Sequence, residues 1–161
     1  MTAPDPSGER HDVARFRHVV LAAQRLGNRV LAEELRPLGL TPAWAEALTV
    51  LAAFEPLTIR ELGRLLVCEA DHPSRLAARL ERDGLVARRR STADRRAVEL
   101  ALTTSGRDLA RRVTAIEDGL DRAIRRRVAD ADIEAVTATL LHLLDDRARD
   151  AIDHRYPSPS S

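Results

Sequence analysis

Residues 72–106, HPSRLAARLERDGLVARRRSTADRRAVELALTTSG, decide the fold. The pattern predicts a short helix from near His72 that carries Arg75 and Arg79, with Pro73 tolerated because it falls in the first turn. Gly84 marks its end. Leu85 and Val86 then lead into a strand bearing Arg88, Arg89 and Arg90. After a polar turn, residues 91–95, comes a second strand in which Val98, Leu100 and Leu102 alternate with Ala97, Glu99 and Ala101. Between residues 72 and 97, eight arginines stand against Glu81, Asp83 and Asp94, a local net of +5 in a chain whose total is +1. Arginine concentrated on a helix and an adjoining hairpin is the footprint of a grip on a phosphate backbone. A solvated charged face would explain the arginines but not the order of elements behind them.

Upstream, Thr58 and Glu61 form a T-x-x-E capping box. It opens a short helix from Ile59 to about Val67, with Leu62, Leu65 and Leu66 facing inward. Two short helices so closely spaced make a helix-turn-helix, whose second helix is expected in a major groove. Thr41 and Pro42 start a preceding helix that buries Ala45, Leu48, Leu51 and Ala52 and stops before Pro56. Residues 12–36 are helical in pattern and end at Pro37 and Gly39. Beyond the hairpin, Thr103 or Thr104 caps a long helix striped by Leu109, Val113, Ile116, Leu120 and Ile124. Asp130 or Asp132 opens the last helix, whose acidic end is expected to point away from DNA.

The fold class is therefore mainly α with a small β-wing: a winged helix-turn-helix with N- and C-terminal dimerisation helices. A single domain spans 11–153, with the winged helix-turn-helix at about 41–104 and dimerisation helices at about 12–36 and 105–152. Residues 1–10 and 154–161, rich in Pro, Ser and charge, read as disordered tails. The stripe of Val13, Phe16 and Val20 and that of Ile133, Val136, Leu140 and Leu144 exceed what a small winged-helix core requires. A second copy of the chain is the simplest partner for them.

Composition narrows the function further. The chain has 161 residues, 32% of them charged, and no apolar run approaches the roughly 20 residues that cross a bilayer. A polar N-terminus without an apolar segment, and a single cysteine, Cys68, suit a reducing cytoplasm. Four aromatics (Phe16, Trp44, Phe54, Tyr156) are too few for base-stacking recognition of single strands, so duplex DNA fits better than RNA. No nucleophile–base pair, glycine-rich phosphate loop or metal-ligand spacing is present, so no enzymatic activity, cofactor or metal is expected.

Residues 57–109 resemble the MarR family of bacterial transcription regulators. The matches are the L-T-x-x-E-L opening, the S-R-L-x-x-R-L-E-x-x-G-L-V helix, and the wing D-R-R-x-V-x-L-x-L-T followed by x-x-G-R. The resemblance implies a triangular homodimer with interlocked terminal helices and two heads on a pseudo-palindromic operator. It also implies a ligand-responsive repressor, because many relatives release DNA when a small phenolic or lipophilic effector, or an oxidant, acts on them. Ser74 and Arg75 match positions that reach the major groove, and Arg79 a position nearer the backbone. Asp94, Arg95 and Arg96 match the wing tip, where an arginine enters the minor groove and the aspartate holds a neighbouring arginine. The chain departs from the family at Val67, where glycine is usual, and in the acids Glu69 and Asp71 ahead of the recognition helix.

Arg88, Arg89 and Arg90 are expected on phosphates, giving affinity without sequence choice. His72 either contacts a base or simply starts the helix. An effector pocket is expected between the first helix, the Trp44 helix and the Leu109 helix, with His18, Trp44 and Phe54 at its edge. Two alternatives remain: a winged-helix module that binds protein, and a redox-responsive regulator working through Cys68.

Overall fold

Thr58 and Glu61 form the expected capping box: the Glu61 amide donates to the Thr58 hydroxyl at 3.2 Å, and the Glu61 carboxylate accepts from the Thr58 amide at 2.7 Å. The computed structural model describes residues 6–67, 72–91 and 97–157, with the backbone alone for 6–10. Cys68, Asp94, Arg95 and Arg96 lie outside the described residues.

The elements in order are α1 (Pro6–Leu35), a 3-10 turn (Arg36–Leu38), α2 (Pro42–Phe54), β1 (Leu57–Thr58), α3 (Ile59–Leu65), α4 (Pro73–Arg82), β2 (Val86–Arg90), β3 (Val98–Leu102), α5 (Thr104–Arg125), α6 (Asp130–Leu141) and α7 (Asp146–Arg155). Antiparallel β2 and β3 pair from Val86 with Leu102 to Arg90 with Val98. The Ser91 amide donates to the Ala97 carbonyl where the strands part. The two-residue β1 adds to the other edge of β3, giving the order β1-β3-β2. That third strand has no sequence signal, since two residues cannot display an alternation.

The core is leucine-rich: Leu35, Leu48, Leu51, Leu62, Leu80 and Leu100 are fully buried, with Val50 and Val113. Helix α2 lies at its centre, against α1, α3, α4, α5 and β3. Ala52, expected inside, is exposed near the end of α2, one turn beyond the buried Leu48. Two glycines have positive φ, Gly39 at 69° and Gly84 at 70°, and both end helical segments as the sequence indicates. Gly106 answers a different need. A Cβ there would stand 2.0 Å from the Leu85 carbonyl oxygen, so the start of α5 packs directly on the end of the recognition-helix segment. Thr103 caps α5 through the Gly106 amide and donates to the Gly84 carbonyl at 2.7 Å. Arg107, next along, pairs with Glu55 and donates to the Leu102 carbonyl at 3.0 Å.

Both ends of the chain differ from expectation. Helix α1 begins at Pro6 rather than about residue 12, because proline at a first helical position gives up a hydrogen bond that no helix start can make. The last helix is two helices. Asp145 caps α7 by accepting from the Ala148 amide at 2.8 Å, and Arg149 reaches back to the Leu141 carbonyl at 2.5 Å. These bonds satisfy one amide and one carbonyl exposed by the break. Helix α7 continues to Arg155, beyond the expected tail boundary at 154. It turns back onto α3, so the acidic end lies against the first helix of the helix-turn-helix.

Candidate nucleic-acid interface

Helix α4 follows α3 closely because Gly63 lets Pro73 approach: a Cβ on Gly63 would meet the proline Cγ at 2.7 Å. Leu76, Ala77 and Leu80 form the buried face of α4. Ser74, Arg75, Arg79 and Arg82 are exposed, and Arg75, Arg79 and Arg82 fall on one face by their spacing. His72 stands at the N-cap, exposed, and its side chain makes no capping bond. It starts the helix by accepting backbone bonds from Arg75 and Leu76 through its carbonyl.

The arginines divide by their partners. Arg79 donates to Asp83 at 3.0 Å, and its guanidinium lies 4.9 Å from the Trp44 ring centroid. Arg88 donates to Glu81 at 2.8 Å, which ties the wing strand to the end of α4. Arg75, Arg89 and Arg90 are exposed and make no ion pair among the described residues. Arg89 stands opposite Glu99 in register, while Arg88 and Arg90 project from the other face of the ribbon, opposite Leu100 and Val98. The interface thus presents guanidinium groups from one helix face and one strand pair, with two of them held in place by carboxylates on α4 and just after it.

The structure does not bring His18, Trp44 and Phe54 together. His18 is exposed on α1 and bonds to the Ala14 carbonyl, and Trp44 underlies Arg79. Phe54 lies near the far end of α2, 5.2 Å from the His154 ring. Ten residues of helix put Phe54 about 15 Å from Trp44. A cavity of about 850 Å³ instead lies between α3 and α7, lined by Leu57, Leu65, Arg64, Arg147 and His154 along with Glu61 and Asp150. The bonds from Thr58 hold the Glu61 carboxyl below the ordinary carboxylate range. Among the described residues, no group of three or more His, Cys, Asp or Glu side chains is placed to hold a metal. No single helix among them is long and apolar enough to cross a membrane.

One cluster escaped the sequence reading. Glu46 is buried on α2, where its carboxylate accepts from the Val67 amide at 2.8 Å and from Arg155 of α7 at 2.5 Å. Its signal was present, because Glu46 is the one charged residue in PAWAEALTVLAAF. A buried acid in an apolar helix implies a partner.

A helix-turn-helix flanked by an arginine-bearing β-ribbon defines a winged helix-turn-helix protein. The sequence profile of the MarR family matches residues 38–97. No curated protein matches the chain in sequence. Among solved structures, a mutant of MarR from E. coli complexed with operator DNA is similar with a TM-score of 0.70 at 24% identity, over 88% of this chain and 100% of that one. The S. aureus MepR–DNA complex gives a TM-score of 0.72 at 22% identity, over 80% and 95% of the two chains. A probable transcriptional regulator from Pseudomonas aeruginosa gives 0.62 at 25% identity, over 76% and 94%. Over residues 38–97, which hold the helix-turn-helix and the first wing strand, the chain is similar to the MarR family.

Proposed function

We propose that this protein is a sequence-specific double-stranded DNA-binding transcription regulator, a homodimeric, ligand-responsive repressor acting in the cytoplasm without enzymatic activity. The observation that carries the reading is the exposed face of α4. Arg75 stands free of ion pairs among the described residues on the helix that a helix-turn-helix lays in the major groove. Arginine bidentate to guanine is the commonest specific base contact. Arg89 and Arg90 on the adjoining strand are available for phosphates, and the family resemblance assigns an arginine of the pair Arg95 and Arg96 to the minor groove, with Asp94 holding its neighbour. The complexes of MarR and MepR with DNA support the same use of this fold.

Two-fold pairing is supported by apolar side chains left outside the core of the single chain: Val13 is 68% exposed, and Phe16 and Val136 are also exposed. Val20, Ile133, Leu140 and Leu144, candidates for the same interface, are already half-buried within one chain and would contribute less. For the effector, the cavity between α3 and α7 sets Leu57 and Leu65 beside Arg64, Arg147, Glu61 and Asp150, and would suit a small lipophilic compound with a polar group better than the dispersed His18, Trp44 and Phe54.

The test is a titration of the protein's own upstream region against random duplex at moderate salt. Preference for the upstream region by roughly a thousandfold is expected of a specific regulator. Equal binding to both would favour a module that binds protein.

A further inference from the structure

The carboxylate of Glu46 joins two distant parts of the chain. It accepts a hydrogen bond from the amide of Val67, in the segment between α3 and the recognition helix α4, and another from the guanidinium of Arg155, in the last turn of α7. The pair is largely buried: the side chains of Glu46 and Arg155 are only 8% and 14% exposed. We propose that Glu46 is a positioning residue for DNA reading, fixing the helix-turn-helix through the Val67 amide, and that Arg155 holds the Glu46 carboxylate in place to do so. The proposal rests on the DNA-binding function above.

The chemistry gives the pair a direction. A buried carboxylate deprived of its counter-ion draws in water or swings outward, because leaving it charged and dry is costly. Either response would take it from Val67. Helix α7 therefore acts on the segment ahead of α4 without touching DNA. Any displacement of α7 is felt at Val67 through Arg155. The charge of Arg155 also partly offsets the upward shift of the Glu117 carboxyl on α5. A glutamine at position 46 would change the outcome. Its neutral amide oxygen accepts the Val67 proton without needing a cation.

The experiment uses the full chain and two readouts. One is binding to a duplex selected by the wild-type protein from a random-sequence library, compared with random duplex. The other is the hydrogen-exchange rate of the Val67 amide without DNA. Arg155→Met should weaken binding to the selected duplex by about tenfold or more, the usual effect of removing a bond to a charged group, and should speed Val67 exchange. Random-duplex binding should stay within about twofold, since no phosphate-binding side chain is touched. Arg155→Lys should retain most of the affinity. Adding Glu46→Gln to Arg155→Met should restore both readouts. If the double variant is no better than Arg155→Met, the loss comes from detachment of α7 and the proposal is overturned; unchanged binding in Arg155→Met overturns it too. Should Arg155→Met fail to fold, Glu46→Gln against Glu46→Ala decides: the first should keep Val67 protection and selected-duplex affinity, the second should lose both. Equal behaviour of those two overturns the assignment. If the wild type selects no sequence at all, the DNA-binding reading fails, while Val67 exchange still judges the Glu46–Arg155 pair.

Discussion

The guanidinium of Arg79 lies over the indole of Trp44, 4.9 Å from the ring centroid, while its Nε is bonded to Asp83. The arginine is thereby committed to the packing of α4 on α2. Arg75, one turn earlier, has no such ties among the described residues. Arg75→Ala should therefore relax discrimination at one or two positions of each half-site, at about 1–3 kcal/mol. Arg79→Ala should lose the smaller contribution of an exposed cation–π interaction, about 0.5–1 kcal/mol, mainly in stability. Binding to a panel of single-base operator variants, alongside urea unfolding, separates the two. Loss of discrimination in Arg79→Ala alone would reverse the assignment.

Arg89 stands on the wing strand opposite Glu99, exposed. Arg89→Ala should weaken binding about equally to every sequence. It should also flatten the dependence of log affinity on log salt, by about one unit for each phosphate that the variant no longer neutralises. A salt titration on operator and random duplex measures it. An effect confined to the operator would make Arg89 a base-reading residue.

Phe16 and Val136 are exposed in the single chain, so charging them leaves its own core untouched. The double variant Phe16→Asp, Val136→Asp is expected to be folded but monomeric by light scattering. Its DNA affinity should fall to the non-specific level, because two heads spaced about 34 Å apart are needed for a two-fold site. A dimer that survives these charges would place the interface elsewhere.

Gly106→Ala tests the close approach of α5 to Leu85. The added methyl would meet a backbone carbonyl oxygen, which has no side-chain rotamer through which to yield. A destabilisation of about 1–3 kcal/mol or more is expected, despite the better helix propensity of alanine. Thermal unfolding that matches the wild type would contradict the packing described.

Burial pushes the Glu117 carboxyl above its ordinary value of 4.5, a rise that Arg155 only partly offsets. The folded protein thus holds that proton more tightly than the unfolded chain, and stability falls as pH rises through the interval above 4.5. Glu117→Gln removes the penalty of a buried charge. It should be more stable than the wild type at neutral pH, with the advantage vanishing as the pH falls to about 4.5. Denaturation midpoints across that range provide the check; an advantage that persists at low pH would point to packing instead.

Local chemistry made much of this fold legible in the chain. The Thr58–Glu61 box, the caps at Thr41 and Thr103, and the glycines at 39 and 84 act within a few residues, so sequence alone determined the helices of the helix-turn-helix and the strands of the wing. The arginine cluster was equally plain, because charge is counted without knowing the fold. What tertiary structure decided is which arginines are free. Arg88 meets Glu81 across seven residues, and Arg79 meets Trp44 across helices, pairings that no periodicity encodes. The break at residues 142–145 was hidden because the Leu141 carbonyl ahead of it is satisfied by Arg149, a residue beyond the break. The x-x-G-R element was visible as a motif, but its cause lies in the distant Leu85 carbonyl and Glu55 carboxylate. Glu46 and Arg155 are 109 positions apart. A buried acid announces that it needs a partner, but only the folded chain determines which one it finds.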